Sequence, residues 1–246
     1  MTHPAIEFRQ VHKRFDGTPV LTGMDLAIRS GETLTIIGGS GSGKSVTLKL
    51  VVGLLKPESG QVLIEGEDIV PIAEERLFRV RKKIGMVFQS SALFDSLSVA
   101  ENIAYPLREH TTISEEEIRE RVRETLDLVG LEGLEEKDPA DLSGGMRKRV
   151  ALARAIALVP RIILYDEPTT GLDPTNTEKI NELIVDTAEK LGVTSVVVTH
   201  DMRSAFKVSD RVAFLYMGTI AIAGTPREIE GSDLPLVRQF ISGSLV

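Results

Sequence analysis

Residues 38–45 read Gly38-Gly39-Ser40-Gly41-Ser42-Gly43-Lys44-Ser45, directly after the apolar run Leu34-Thr35-Ile36-Ile37 and directly before Val46-Thr47-Leu48-Lys49-Leu50. This is GxxxxGK[ST] between a strand-length apolar run and a helical pattern, the setting in which backbone N–H groups and a helix N-terminus surround phosphate oxygens. The stretch predicts that Gly38 through Val46 hold a nucleoside triphosphate. A flexible Gly/Ser linker shares the composition, but linkers are not bracketed by a strand and a helix carrying Val46, Leu50 and Leu54 on one face.

The 246 residues are 42% apolar and 26% charged, enough for one substantial core with room for a small inserted subdomain. The longest apolar stretches, such as Arg161 to Tyr165 and Val193 to Thr199, fall far short of the ~20 residues that span a bilayer. A soluble unit with no transmembrane segment and no direct membrane insertion is therefore expected. The N-terminal stretch lacks a basic region followed by an apolar run, so no secretory signal is expected either. The absence of cysteine excludes disulfides and thiolate metal sites. A net charge of −7 argues against binding nucleic acid or anionic lipid by charge alone.

No repeat, low-complexity tract or long linker interrupts the chain. The first third is strand-rich, with Ala5 to Arg9, Leu26 to Ile28, Glu32 to Ile37 and Gln61 to Ile64 separated by turn signals at Asp16-Gly17, Ser30-Gly31 and Pro57-Glu58-Ser59-Gly60. The middle turns helical. Ser114 is an N-cap, Glu117 closes a capping box, Ile113 faces Ile118 as a staple, and Gly130 ends a helix whose buried stripe is Ile118, Val122, Leu126 and Val129. From Arg161 onward strand and helix alternate: Ile162 to Tyr165, Pro174 to Leu191, Val193 to Thr199, then Val212 to Tyr216. Continuous apolar strands between amphipathic helices indicate a mostly parallel sheet covered on both faces.

The strand Ile162-Ile163-Leu164-Tyr165-Asp166-Glu167 ends in two carboxylates, where ligands gather in such sheets. Hydrolysis of a γ-phosphate needs a Mg²⁺ ligand and a group that activates water, and successive strand residues facing opposite ways can divide the two roles. Asp166 is the candidate metal ligand and Glu167 the candidate base. A polar strand end followed by a turn reads the same way, so the pair decides nothing alone.

Just upstream stands Asp141-Leu142-Ser143-Gly144-Gly145-Met146-Arg147-Lys148-Arg149. With it the chain resembles the ATP-binding-cassette ATPases, whose signature motif the Leu-Ser-Gly-Gly stretch matches. The resemblance runs from about Ile6 to Gly224 and implies further roles. Phe15 stands at the aromatic that stacks on adenine, Gln89 at the glutamine that contacts magnesium, Asp173 in the loop after the catalytic Glu, and His200 at the histidine near the γ-phosphate. Ser45 joins Asp166 and Gln89 as metal ligands, and ATP and Mg²⁺ are the implied cofactors. Ser143, Gly144 and Gly145 are implied to act in trans, on ATP held by a second copy of the chain, in a two-fold dimer.

The implied fold is an α/β P-loop NTPase of RecA-like type: a mostly parallel sheet with helices on both faces, an N-terminal antiparallel β subdomain and an inserted α-helical subdomain. Residues 1–246 would form one such ATPase domain, with 1–95 and 160–246 as core and 96–159 as the helical subdomain carrying the signature. The basic run Arg147-Lys148-Arg149 reads as a solvated helix face or one paired with acidic neighbours.

Relatives that act on DNA carry long coiled-coil or zinc-hook insertions, and translation factors usually carry two cassettes; neither feature is present. An Mg²⁺-dependent ATPase docked under a separate membrane permease, peripheral on the inner face of the bacterial inner membrane, is the expectation. Ser91-Ala92-Leu93-Phe94 and Ala104-Tyr105-Pro106-Leu107 would supply exposed apolar groups to the permease. The stretch Met86 to His110, with Met146 where most relatives have Gln, looks like the ATPases of Mla/Mce-type lipid transporters. That implies phospholipid transport with a permease and an Mce-domain protein. Amino-acid importers and cell-division ATPases share much of the pattern and stay open, as does a soluble ATPase acting on nucleic acid.

Overall fold

The computed structural model describes residues 3–243. In chain order the first elements are β1 (Ile6–Phe15), β2 (Thr18–Ile28), β3 (Thr33–Ile37), α1 (Lys44–Val51), β4 (Ser59–Ile64), β5 (Glu67–Asp68) and α2 (Glu74–Arg81). They are followed by β6 (Ile84–Val87), α3 (Val99–His110), α4 (Glu115–Leu128), α5 (Gly144–Ile156), β7 (Ile162–Asp166) and α6 (Pro174–Leu191). The last are β8 (Thr194–Thr199), α7 (Met202–Val208), β9 (Arg211–Tyr216), β10 (Thr219–Gly224), α8 (Pro226–Glu230) and α9 (Pro235–Ile241). The described residues form two compact units, one of residues 3–81 and 194–243, the other of Lys82–Val193.

The first unit holds an antiparallel sheet in the order β2-β1-β4-β5 and a mainly parallel array in the order β10-β9-β3-β8. Every residue of β3 and β8 is buried, as strands covered on both faces require. Strand β1 runs past Arg9 to Phe15 because it bends rather than stops. Its register shifts after Phe8, where Gln10 takes φ 48, and the bulge erases the period-two pattern that would have revealed the extension.

The short helix α1 corrects one expectation: its buried positions are Lys44, Thr47, Leu48, Leu50 and Val51, while Val46 is half-buried and Leu54 is 56% exposed. The helix ends at Val51, and Gly53 then turns the chain at φ 65, so helical periodicity has no meaning at Leu54.

The second unit pairs β6 and β7 in parallel and adds α3 to α6. Local chemistry sets the helix ends. Ser114 accepts from Glu117 N and Glu117 accepts from Ser114 N, a complete capping box, and Gly130 at φ 62 follows the C-terminus. The stripe Ile118, Val122, Leu126 and Val129 is buried, although Ile113 is 39% exposed. Asp173 caps α6, Pro174 opens it and Gly192 closes it at φ 62. Replacing Ser114 with alanine removes the acceptor for Glu117 N; a loss of about 1 kcal/mol is expected, read from chemical denaturation with unchanged m-value.

Candidate functional site

In the first unit the loop 38–45 leaves β3 at the point where β8 and β9 run beside it, with Ile37 opposite both Thr199 and Phe214. Gly38 and His200 therefore leave neighbouring parallel strands at the same level, and His200 is exposed. Asp201 follows it and caps α7 by accepting from Arg203 N at 3.0 Å, which ties down the chain beyond the histidine.

Two of the loop's glycines are required by close approach. A Cβ on Gly38 would lie 2.5 Å from the Leu215 carbonyl, and one on Gly43, at φ 106, would lie 3.0 Å from Val20 Cγ1 of β2. Lys44 is 8% exposed and folds back over the loop, donating to the carbonyls of Gly38 at 2.8 Å and Gly39 at 3.0 Å. The Ser42 hydroxyl is buried without a hydrogen-bond partner. A cation, an orphaned hydroxyl and the start of α1, with no acidic residue in its first turn, give the loop the donors and the charge sign that suit phosphate. Phe15 ends β1 at 41% exposure with the Lys13 ammonium 5.2 Å from its ring centroid. It adjoins the turn Asp16-Gly17, both at positive φ, which returns the chain along β2 toward Val20.

In the second unit β6 and β7 are paired with Val87 opposite Tyr165, so Gln89 and Glu167 each lie two residues beyond a matched pair. Asp166 closes β7 and is 8% exposed. Glu167 does not continue the strand: its backbone turns to φ 48, and the carboxylate accepts from the Thr170 hydroxyl at 3.1 Å. A left-handed kink therefore follows Asp166, and the strand alternation expected to separate the two carboxylates does not extend to Glu167. Oxygen donors of this kind suit Mg²⁺, and among the described residues no cluster of three or more His, Cys, Asp or Glu forms a self-sufficient metal cage.

Ser143 caps α5 and accepts from Met146 N at 3.3 Å, with Ser143 and Gly144 exposed at the positive end of the helix. Gly145 is buried; a Cβ there would sit 2.7 Å from Asn176 Oδ1, and Asn176 in turn donates to the Asp173 carboxylate. Hydrogen bonds from Asn176 and Thr175 hold the Asp173 carboxyl below the usual aspartate range. The signature loop and the Asp173 loop are thereby joined.

The basic run after the signature is not a solvated face. Lys148 is 6% exposed and donates to the carbonyl of Gln89 and, at 3.5 Å, to that of Glu167. Arg149 donates to the carbonyls of Val129 and Gly130, and Arg147 to that of Leu142. These cations cap backbone carbonyls where the chain turns, a tertiary role that charge spacing on a helix does not reveal. Burial lowers the Lys148 pKa, opposed by the nearby charges of Asp166 and Glu167.

The expected permease-facing apolar groups are only partly presented. Phe94 and Tyr105 are 44% exposed each and their rings stand 5.0 Å apart, but Ser91, Ala104 and Leu107 are buried. Ala104 and Leu107 lie on the inner side of α3, a helix the residue pattern did not disclose because Pro106 lies inside it. Buried Asn102 shapes the preceding loop by donating to the carbonyls of Phe94 and Leu97 and accepting from Phe94 N.

The family described as ABC transporter matches residues 21–170. The chain is 44% identical over 239 residues to the probable ribonucleotide transport ATP-binding protein mkl of Mycobacterium leprae, spanning 97% of this chain and 69% of that one. It is 39% identical over 244 residues to the intermembrane phospholipid transport system ATP-binding protein MlaF of Haemophilus influenzae, spanning 99% of this chain and 92% of that one. Among solved structures, the dimeric post-hydrolysis state of the ATP-binding cassette MJ0796 bound to ADP and Pi is 36% identical. It matches with a TM-score of 0.82 over 90% of this chain and 99% of that one. Loop, carboxylate strand end, signature helix and these likenesses agree: the chain belongs to the ABC transporter family, as an ATPase of the P-loop α/β fold.

Proposed function

We propose that this chain is the motor of a phospholipid transporter, hydrolysing Mg²⁺-ATP between two copies of itself to drive a separate membrane permease that moves lipid between inner and outer membranes. The observation that carries the lipid assignment is the match to MlaF along nearly the whole of both chains. The Met86 to His110 stretch and Met146 support it. Greater identity to a protein named for ribonucleotide transport, over a smaller share of that protein, favours a second reading in which the motor is the same and the cargo a nucleotide. No helix among the described residues is long and apolar enough to cross a membrane.

In the proposed mechanism Lys44 and the loop amides of 38–46 hold the β- and γ-phosphates, and Phe15 stacks on the base. Ser45, Asp166 and Gln89 would hold magnesium, which when bound neutralises phosphate charge. Glu167 takes the proton of the attacking water, and His200 donates to the γ-phosphate. Ser143, Gly144 and Gly145 close over the nucleotide of the other copy, and Asp173 fixes that loop through Asn176. The phosphate cradle, the paired ends of β6 and β7 and the capped signature helix support these roles.

The test is to recover the Glu167→Gln chain with ATP from detergent-solubilised native membranes and identify what co-elutes by mass spectrometry. A multi-span permease with an Mce-domain protein and phospholipid is expected. A permease carrying nucleotide would transfer the motor to the second reading. Recovery from the soluble fraction alone, with ATPase stimulated by nucleic acid and fading with salt, would defeat the transport reading.

A further inference from the structure

The second unit contains one buried cation that the proposed mechanism does not use. Lys148 lies a little over one turn into α5, the helix that the signature Ser143 caps. Its ammonium reaches the ends of two neighbouring strands, donating to the carbonyl of Gln89 beyond β6 and to that of Glu167 beyond β7. The helix is held close to β6 for this reach: a Cβ on Gly85 would meet the Ala155 carbonyl at 2.5 Å. The chain after Gln89 is gripped from the same helix a second time. Arg154 donates to the carbonyls of Ser91 at 3.0 Å and Ala92 at 2.7 Å, two residues held at φ 66 and 47.

Left-handed backbone at a residue other than glycine persists only where its surroundings over-determine it. Glu167, at φ 48, is in that state, and its conformation sets where the carboxylate points. The Thr170 hydroxyl fixes the carboxylate end, while Lys148 holds the carbonyl end. We propose that Lys148 is a positioning residue for ATP hydrolysis: it locks the backbones of Gln89 and Glu167 to the signature helix, so that a shift of α5 or of the Gln89 segment moves the base. The same linkage gives the exposed Phe94–Tyr105 pair a path to Glu167, since the Arg154 guanidinium lies 5.9 Å from the Phe94 ring centroid. This proposal rests on the assignment of Glu167 as base.

Lys148→Met keeps the length of the buried stem and removes the donors. Steady-state ATPase of the full chain with Mg²⁺-ATP should show kcat lowered about 10- to 100-fold, the cost of misplacing a catalytic group by about 1 Å. KM for ATP should change far less than kcat, because the loop's own bonds from Lys44 to the carbonyls of Gly38 and Gly39 are unaltered by the substitution. Lys148→Arg, which restores donors, should recover much of the loss. Parental kcat in a folded Lys148→Met chain would overturn the proposal. So would kcat, KM and melting temperature shifting together with no rescue by Arg, the pattern of a residue that serves packing alone. Should Lys148→Met not fold, Lys148→Gln is measured against the same criteria. Glu167→Gln run alongside separates the two ideas: if it hydrolyses at the parental rate the base assignment fails, whereas if it is inactive and Lys148→Met is parental, only the positioning role fails.

Discussion

Glu167→Gln is expected to lower ATP turnover by about 100- to 10,000-fold, the usual contribution of a positioned general base, while ATP still binds. The substitution is nearly isosteric. An amide oxygen can still accept from the Thr170 hydroxyl, 3.1 Å from the native carboxylate, so the left-handed backbone at φ 48 need not relax. What disappears is the proton acceptor. Neighbouring Asp166, 8% exposed at the end of β7, precedes the kink and is unchanged by the substitution. Single-turnover hydrolysis read beside nucleotide binding checks the expectation, because binding and chemistry should separate. Parental turnover in the Gln variant would remove Glu167 from the mechanism.

Lys44→Ala has the second largest expected effect, on binding instead of chemistry. A hydrogen bond to a charged group contributes about 1.5–3 kcal/mol, so loss of the ammonium should weaken ATP about 10- to 100-fold. The side chain is already drawn over the loop, with its stem buried and its donors on Gly38 and Gly39 carbonyls. Phosphate oxygens would take over those donors with little motion. Isothermal titration with ADP and ATP checks it; the deficit should be larger for ATP, whose γ-phosphate adds charge at the same point.

Much of the fold was legible because its signals are local. The loop at 38–45 and the Ser114–Glu117 capping box with Gly130 at the far end of its helix each depend on a few consecutive residues acting on their own backbone. Of the candidate site, the phosphate loop and the two carboxylates after the apolar strand are local patterns of glycines and acids at strand ends, whereas Phe15, Gln89, Asp173 and His200 are named only through the family resemblance. What stayed hidden depends on distant chain. Lys148 reads as a surface cation until Gln89 and Glu167 surround it from 59 and 19 residues away. Ala104 and Leu107 read as exposed until α3 turns them inward, and the kink at Glu167 has no residue-level marker of the kind glycine supplies. Leu54 misled in the opposite sense, extending a helical stripe beyond a helix that stops at Val51.

In the proposed mechanism two copies of the chain complete each other's nucleotide sites, the signature of one closing over the phosphates of the other. Sedimentation of the purified Glu167→Gln chain with and without Mg²⁺-ATP tests it most directly. A species of 26.9 kDa is expected without nucleotide and one of twice that mass with ATP, reverting when Ser143 is also replaced by a bulky residue such as arginine. A Glu167→Gln chain that binds ATP to saturation and still sediments as a single copy would contradict it.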